Sequence, residues 1–539
     1  MCGFVSVDED VFEERLFDEA LKELLDRGPD QVQKKKFLGR TFGFDRLAIM
    51  DLSSKGMQPF EQEDLILVCN GEIYNSSILR ESVKDEFKFK SSSDCEVILP
   101  LYKKYGLEIM SKMLDGEFAL CIYDGSKGKM LAARDPMGIR PLFYGYTKHG
   151  KIAFASEGKA LYKLGCKKIM PFPPGCYYDG KKFICYNDLS FVDQYSMDSI
   201  SEISTKIEEK LTKAVEKRLQ SDAPIGFLLS GGLDSSLVCA IATKILKQKA
   251  KKEGKKYVPI KTFAIGMDIA PIDLKYAREV ADFLGTDHTE VIMTKEEVLK
   301  TIKPLIKEIE TWDITTIRAS IGMYLLCKYI YEKTDIKVIL TGEVSDEIFG
   351  YKYTDFAPSP EEFQKESKKR IKELYMYDVL RADRCISRNS LEGRVPFADT
   401  EFVRYCMSID PAKKMNTYKK GKYLLRHAFE GKGYLPDDII MREKAAFSDA
   451  VGHSMVDDIK EYVEKIYTEK DLKEAKEKYE YCTPFTKESL YYREIFESFY
   501  KGQAKWIKSF WMPNKTWEGC KDVKDPSARV LSNYGDSGK

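Results

Sequence analysis

The stretch 225-IGFLLSGGLDSS-236 decides the fold of the longer part of this 539-residue chain. The apolar run IGFLL predicts a strand, and the segment SSLVCAIATKILKQ, which begins at Ser235, predicts a helix. A glycine-rich turn between a strand and a helix lets successive backbone N–H groups approach one ligand, and the helix N-terminus adds partial positive charge. This pattern therefore predicts a site for a polyphosphate.

The side chains of the same turn refine this prediction. Ser230, Ser235 and Ser236 offer hydroxyl donors, whereas Asp234 would repel phosphate unless a cation lay between them. Mg²⁺ is the simplest such cation. We therefore expect a pyrophosphate site with Mg²⁺ at Asp234. The simpler alternative is a Gly/Ser turn whose aspartate only caps the helix.

Strands and helices alternate beyond this turn. Further strands are predicted at KTFAIGM, TEVIM and KVILTGE, and the chain from about residue 355 reads mostly helical. This order is typical of an α/β fold with a doubly wound parallel sheet and a helical C-terminal portion. The first 190 residues instead alternate short strands with turns and a few helices, which indicates a strand-rich α+β domain. The expected domains are residues 2–195 and 200–515, followed by a C-terminal tail at residues 516–539 that could be flexible.

Composition excludes several classes of protein. Lys and Arg number 87 against 86 Asp and Glu, so the charge points to neither a nucleic-acid nor an anionic membrane partner. No run of about 18 apolar residues predicts a membrane span, and the acidic start VDEDVFEE is unlike a signal or transit peptide. The 13 cysteines include no C-x-x-C pair and many lie in apolar runs, which indicates reduced thiols in a cytoplasmic protein.

Motifs along the whole chain resemble a known family. SGGLDSS resembles the pyrophosphate loop of the ATP pyrophosphatases, which activate a substrate as its adenylate. MCGF, RGPD, DRLAIMD, NGEIYN, SSSDCE and RDPMGIRPLFYG, in this order, resemble a class II glutamine amidotransferase domain, which is an N-terminal nucleophile hydrolase with an αββα sandwich. Together with TTIRAS, LTGEVSDEIFG, EGRVPFAD and SLYYREIF, they resemble the glutamine-hydrolysing asparagine synthetases.

This resemblance implies an activity and its partners. Aspartate and ATP would give β-aspartyl-AMP and pyrophosphate, and ammonia from glutamine would then displace AMP to form asparagine and leave glutamate. The family also implies a homodimer, and an internal apolar tunnel that carries ammonia between the two active sites.

The resemblance gives a role to Cys2, which follows the initiator methionine. If Met1 is removed, the thiol and the α-amine of Cys2 stand side by side, and an α-amine with a pKa of about 7.7–8.0 suits a general base. The family implies that the Asn70 side chain and the Gly71 N–H stabilise the oxyanion. An incidental cysteine is the alternative.

The resemblance also implies which residues hold glutamine. Arg46 matches the residue that binds the α-carboxylate through a bidentate fork, and Glu72 and Asp94 match those near the α-ammonium. For Asp94, capping of the helix that begins at CEVILPLY is a competing interpretation. The other expected members of the glutamine site are Leu47, Ile49, Asn70 and Gly71.

By the same resemblance, ATP binds at the phosphate loop and beside it. The metal is expected at Asp234 and Asp346, Glu343 assists the ammonia step as a base, and Arg318 and Lys444 balance charge on the pyrophosphate and the acyl-adenylate. For Lys444 the alternative is an exposed helix lysine. The expected ATP-binding residues are Leu229, Ser230, Gly231, Gly232, Asp234, Ser235, Ser236, Ile265, Thr341 and Gly342.

The sequence departs from the family pattern near the expected aspartyl pocket. Val344 replaces the second glycine of the common G-E-G-S-D-E, and Ala445, Ala446 and Ala450 replace other residues of K-E-Q-F-S-D-G. Two alternatives therefore stay open. One is a synthetase that uses another carboxylate, and the other is either a nucleic-acid-modifying pyrophosphate-loop protein or a nutrient sensor without synthetase activity.

Overall fold

The computed structural model describes residues 1–10, 13–268, 272–443 and 453–535. The N-terminal part contains two six-stranded antiparallel sheets, ordered β10-β8-β9-β1-β3-β2 and β12-β11-β7-β6-β5-β4. Their strands are β1 Gly3–Val7, β2 Gln31–Phe37, β3 Arg40–Arg46, β4 Phe60–Gln62, β5 Leu65–Ile73, β6 Gly116–Asp124, β7 Lys129–Arg134, β8 Phe143–Tyr146, β9 Ile152–Ala155, β10 Lys167–Pro171, β11 Cys176–Tyr178 and β12 Phe183–Cys185.

Side chains that alternate along these strands create three apolar layers. In β1, Phe4 packs with Val68 of the second sheet, whereas Val5 packs with Phe17 on the outer face. Helices cover both outer faces, which confirms the αββα sandwich that the resemblance implied. The helices are α1 Glu14–Lys22 and α4 Gly158–Lys163 on the first sheet, and α2 Ser76–Glu81 and α3 Ile98–Met113 on the second.

A five-stranded parallel sheet, ordered β15-β14-β13-β16-β17, forms the centre of the C-terminal part. The chain proceeds from β13 outward to β14 and β15 on one side, and then to β16 and β17 on the other, so the predicted doubly wound sheet is confirmed. The loops at the carboxyl ends of β13 and β16 meet at the switch point, where such sheets bind ligands. The strands are β13 Ile225–Leu228, β14 Lys261–Met267, β15 Asp287–Met293, β16 Val338–Leu340 and β17 Glu392–Arg394.

Helices surround this sheet and form most of the remaining chain, as the sequence predicted. Their bounds within the described residues are α5 Ile200–Arg218, α6 Leu233–Lys252, α7 Ile272–Leu284, α8 Lys295–Ile309, α9 Ile314–Lys333, α10 Ser345–Phe349, α11 Pro360–Glu373, α12 Asp378–Ser387, α13 Thr400–Ser408, α14 Pro411–Lys414, α15 Tyr423–Phe429, α16 Asp437–Met441, α17 His453–Glu464, α18 Glu469–Lys478 and α19 Lys487–Phe499.

The two parts meet in a buried interface. The Arg140 guanidinium donates to Gly393 O of β17 at 2.7 Å, and the Trp506 indole donates to Ile169 O of β10 at 3.1 Å. Trp506 is 2% exposed, so it is a core residue shared by both parts.

The described end of the chain, residues 516–535, also packs on the C-terminal part. Trp517 and Cys520 join a small apolar cluster with Tyr353 and Phe363. Asp525 lies within ion-pair distance of Arg318, so this segment reaches the wall of the cavity described below. Within the described ranges, none of the helices combines the length and apolar character needed to cross a membrane.

Candidate active sites

The glycine-rich turn after β13 adopts a conformation that favours glycine. Gly231 has a φ of 70°, and a Cβ added there would lie 2.5 Å from Ala277 N. Ser230 N–H donates to Ser235 Oγ at 3.2 Å, which closes the turn onto α6. A Cβ added at Gly342, after β16, would lie 2.6 Å from Ser235 N. The turns after β13 and β16 are therefore in backbone contact at the N-terminus of α6.

These turns form one wall of a solvent-open cavity at the carboxyl edge of the parallel sheet. Gly231 and Ser236 do not line it, and Lys444 lies outside the described residues. The cavity brings together the other residues predicted for this site: Leu229, Ser230, Gly232, Asp234, Ser235, Ile265, Arg318, Thr341, Gly342, Glu343 and Asp346.

Lys422 is a member of this site that the sequence analysis missed. Its ammonium lies 2.9 and 2.8 Å from the two carboxylate oxygens of Asp234 and 2.5 Å from Asp346 Oδ1. Ser345 Oγ, 3.0 Å away, completes its surroundings. Lys422 also has a φ of 57°, a left-handed conformation that is uncommon for lysine. The ammonium thus lies between the two carboxylates that were predicted to bind the metal.

The donor set at this position fits Mg²⁺. Asp234 and Asp346 are close enough to share one cation, and Mg²⁺ is commonly held by one or two carboxylates together with substrate phosphates. The hydroxyls of the phosphate loop lie on the same cavity wall. The described residues contain no cluster of three or more His, Cys, Asp or Glu side chains that would hold a metal by themselves, so substrate oxygens or water would complete the coordination.

Two arginines on the cavity wall are held by carboxylates. Arg381 of α12 donates to Glu343 Oε2 at 2.6 Å and to Asp378 at 3.0 Å, which fixes the carboxylate predicted to act as a base. Arg318 was expected to face phosphate, but its guanidinium forms ion pairs with Glu488 at 2.6 Å and with Asp525 at 2.9 Å. Its charge is thus balanced by the protein, through partners 170 and 207 residues away that no sequence motif indicates.

The departure at Val344 has a structural consequence. Val344 is buried and has a φ of 80°, in the left-handed region that β-branched residues rarely adopt. It precedes the first residue of α10 and lines the cavity next to Glu343. The residue that replaces glycine therefore keeps a backbone conformation that suits glycine, while its side chain packs in the core.

A second site surrounds Cys2 at the N-terminal edge of β1. Cys2 N–H donates to Asn70 Oδ1 at 3.1 Å, and Cys2 Sγ lies 3.7 Å from Leu47 O. Asn70 Nδ2 is buried and has no hydrogen-bond partner within the described residues. Burial raises the pKa of the Cys2 thiol to about 11 in the chain that carries Met1. The arrangement places a donor without an acceptor beside a thiol, as an oxyanion site requires.

Arg27 is another residue that the sequence analysis did not single out, although it opens the RGPD motif. Its Nε donates to Cys2 O at 2.9 Å, and its guanidinium is 2% exposed. The terminal residues are further held by Met1, whose N atom lies 3.4 Å from Leu391 O in the C-terminal part.

The residues predicted for the glutamine head group lie around the same strand edges. The Arg46 guanidinium donates to Gln31 Oε1 at 2.8 Å and to Ser53 O at 2.6 Å, and it forms no ion pair within the described residues. Ile49 is buried near the interface, where its carbonyl accepts from Asp222 N–H at 3.2 Å. Arg46 therefore keeps a positive charge that is not neutralised by a described carboxylate.

The two carboxylates of this site have different surroundings. Asp94 accepts from Ile73 N–H at 2.6 Å rather than capping its own helical turn, and burial raises its pKa to about 6. Glu72 forms an ion pair with Arg394 of β17 at 3.1 Å, but burial, and next the nearby charge of Asp94, raise its pKa. Gly71, next to Glu72 on β5, packs closely against β6, where an added Cβ would lie 2.5 Å from Glu117 O.

Comparisons with known proteins find matches to both parts of the molecule. Residues 1–171 match the model of the glutamine amidotransferase domain, and residues 206–360 and 354–520 match that of asparagine synthase. Proteins named asparagine synthetase [glutamine-hydrolyzing] from Cricetulus griseus and Homo sapiens are each 41% identical to this chain. The matches cover 95% of both chains for the first and 94% of both for the second.

Among solved structures, the chain is similar to a glutamine phosphoribosylpyrophosphate amidotransferase from B. subtilis, at 18% identity and a TM-score of 0.31 over 54% of this chain and 81% of that one. The matches to curated relatives instead run almost from end to end and include both parts of the molecule. The chain therefore belongs to the asparagine synthase family and combines a glutamine amidotransferase domain with an asparagine synthase domain.

Proposed function

We propose that this protein makes asparagine from aspartate, with glutamine as the nitrogen donor and ATP as the activating substrate. The products are asparagine, glutamate, AMP and pyrophosphate. One observation carries the proposal. A single chain combines a thiol beside a buried amide, whose nitrogen has no hydrogen-bond partner among the described residues, with a cavity walled by a phosphate loop and carboxylates. The names of the relatives support the same reaction.

Glutamine hydrolysis would begin at Cys2. After removal of Met1, the α-amine of Cys2 accepts the thiol proton, and Sγ attacks the carboxamide carbon of glutamine. Asn70 Nδ2 and the Gly71 N–H donate to the oxyanion; the loss of one such donor typically costs about 2.7–4 kcal/mol of barrier. Ammonia leaves, and water then releases glutamate from the thioester.

Charges of both signs would hold the glutamine head group. Arg46 is the proposed partner of the α-carboxylate, because its guanidinium contacts only neutral oxygens among the described residues. Asp94 and Glu72 would attract the α-ammonium. Leu47 and Ile49 are proposed to line the site, Leu47 through its carbonyl beside the thiol.

Aspartate activation would take place in the cavity of the parallel sheet. An oxygen of the aspartate β-carboxylate attacks the α-phosphorus of ATP and displaces pyrophosphate, which the loop at Ser230–Ser236 retains. Glu343, oriented by Arg381, is proposed to take a proton as ammonia attacks the acyl carbon and AMP leaves. The Lys422 ammonium is positioned to pair with phosphate oxygens. Lys444, which is outside the described residues, is proposed to balance charge on the pyrophosphate and the acyl-adenylate.

Mg²⁺, held by Asp234 and Asp346, would supply positive charge to the pyrophosphate oxygens. Supported by the end-to-end family match, we also propose a homodimer in the cytoplasm, with domain limits at residues 2–195 and 200–515, followed by the tail at residues 516–539. No nucleic-acid or membrane partner is proposed.

The reaction can be tested with processed protein, Mg-ATP, aspartate and either glutamine or ammonium chloride. We expect AMP, pyrophosphate and asparagine in equal amounts with both nitrogen donors. Cys2→Ala should abolish glutamine-dependent synthesis and keep the ammonium-dependent reaction. Absence of AMP formation would reject the proposal, and activity with another carboxylate in place of aspartate would assign a different acceptor.

A further inference from the structure

The synthetase part of the molecule contributes side chains to the surroundings of the glutaminase nucleophile. Arg27, whose Nε donates to Cys2 O, is itself held by helix α12 of the other part. Its Nη1 and Nη2 donate to the two carboxylate oxygens of Asp383 at 2.9 and 3.3 Å, and Nη1 also donates to Ser387 Oγ at 2.9 Å. Arg27 and Asp383 are each about 2% exposed, so water does not compete for this fork.

The same helix holds the proposed base of the second reaction. Arg381, two residues before Asp383, donates to Glu343 Oε2 at 2.6 Å. Every residue of α12 from Val379 to Ser387 is buried, so the helix is held by packing along its length. The ten-residue helix α12 therefore contacts Glu343 through Arg381 and contacts Arg27, which supports Cys2, through Asp383.

We propose that Asp383 is a positioning residue for glutamine hydrolysis, which acts through Arg27 on the backbone of Cys2. The inference rests on the proposed function. A chain terminus is normally mobile, and the α-amine can serve as a base only when its direction relative to the thiol is fixed. Arg27 and Asn70 fix the carbonyl and the nitrogen of Cys2. Arg27 is held in turn by Glu157 of its own part and by Asp383 of α12. The support of Cys2 therefore includes α12 of the synthetase part.

The charges around Asp383 allow a clean test. Asp383 belongs to a buried group of three cations and four carboxylates: Arg27, Lys159, Arg384, Glu157, Glu308, Glu310 and Asp383. Asp383→Asn removes one negative charge from this group and keeps the shape of the side chain. Glu310→Gln is a matched control, because Glu310 contacts Arg384 and the Lys159 N–H but not Arg27, and burial raises its pKa.

The experiment measures glutaminase activity, ammonium-dependent synthesis and the melting temperature of the full-length processed protein and its variants. Asp383→Asn should lower the glutaminase kcat at least tenfold, change the KM for glutamine less than threefold, and leave the ammonium-dependent kcat within twofold. Asp383→Glu should recover part of the glutaminase kcat, and Ser387→Ala should lower it two- to fivefold. Glu310→Gln should leave both activities within twofold, whatever its melting temperature.

The inference is overturned if Asp383→Asn hydrolyses glutamine within twofold of the wild-type rate, or if it loses both activities to the same extent. Should Asp383→Asn not fold, Ser387→Ala decides: an unchanged glutaminase kcat in that variant rejects the role of α12. A wild-type protein that does not hydrolyse glutamine at all would instead reject the proposed function, so the two failures are distinguishable.

Discussion

At the scale of single residues, Asp45 of β3 is a carboxyl group buried in the core. It is 1% exposed, and neither of its carboxylate oxygens has a hydrogen-bond partner within the described residues. Burial raises its pKa to about 8. Since the unfolded carboxyl has a pKa of about 3.9, the folded protein binds this proton more tightly. The contribution of Asp45 to the free energy of unfolding therefore falls as the pH rises from about 4 to 8.

Asp45→Asn should remove this pH dependence. We expect the free energy of unfolding of the variant to exceed that of the wild type by an amount that grows by up to about 1.4 kcal/mol per pH unit between pH 4 and 8. Urea denaturation at pH 5, 6.5 and 8 measures the difference. The exposed Asp193→Asn is the control, and a difference for Asp45→Asn that is the same at all three pH values would contradict the prediction.

Asp94 should make glutamine use sensitive to acid. Its pKa of about 6 means that the carboxylate becomes protonated as the pH falls through 6, and its attraction for an α-ammonium is then lost. We expect kcat/KM for glutamine to decline below pH 6 in the wild type. Asp94→Asn should have a kcat/KM at least tenfold lower at pH 8 and no further decline near pH 6. A wild-type profile that stays level from pH 8 to pH 5, with glutamate release as the readout, would disprove it.

At the scale of elements, local motifs were predictable and distant partners were not. The turn between β13 and α6 follows from twelve consecutive residues, because the strand, the glycines and the helix start are adjacent in the chain. Lys422 could not be assigned, since it reaches Asp234 across 188 residues and nothing in the sequence separates it from nearby lysines. The ion pairs of Arg318 with Glu488 and Asp525 were not predictable for the same reason, because these partners come from elements far along the chain.

Lys422, immediately before α15, leads to a further prediction about metal binding. The Lys422 ammonium and Mg²⁺ would compete for Asp234 and Asp346, so removal of the ammonium should let Mg²⁺ bind without nucleotide. We expect Lys422→Met to gain thermal stability on titration with MgCl₂, with an apparent affinity at least tenfold higher than in the wild type. Lys420→Met, at a partly exposed lysine paired with Glu443, is the control. If Mg²⁺ shifted the melting temperatures of all three proteins equally, Lys422 would not occupy the metal position.

At the scale of the whole molecule, buried ion pairs join the two domains near the glutamine site. Arg394 of β17 pairs with Glu72 at 3.1 Å and with Glu392 at 2.9 Å, and it donates to Arg218 O at 2.9 Å. Arg218 in turn pairs with Glu117 of β6 at 2.9 Å. The sequence does not predict such pairs, because no motif distinguishes these charged residues from those on the surface. Only the folded interface shows that they are partners.

Arg394→Met tests whether this interface supports the glutamine site. Methionine keeps the apolar stem but leaves Glu72 buried without its cation, and breaking a buried pair in this way typically costs about 3–5 kcal/mol. We expect a loss of this size in the free energy of unfolding, and a KM for glutamine raised at least fivefold because Glu72 becomes protonated. Arg404→Met, which removes an exposed pair with Glu401, should cost less than about 1 kcal/mol and leave the KM unchanged. Equal losses in the free energy of unfolding for the two variants would mean that the buried pair contributes no more than an exposed pair. A loss of stability with an unchanged KM for glutamine would mean that Arg394 only holds the domains together.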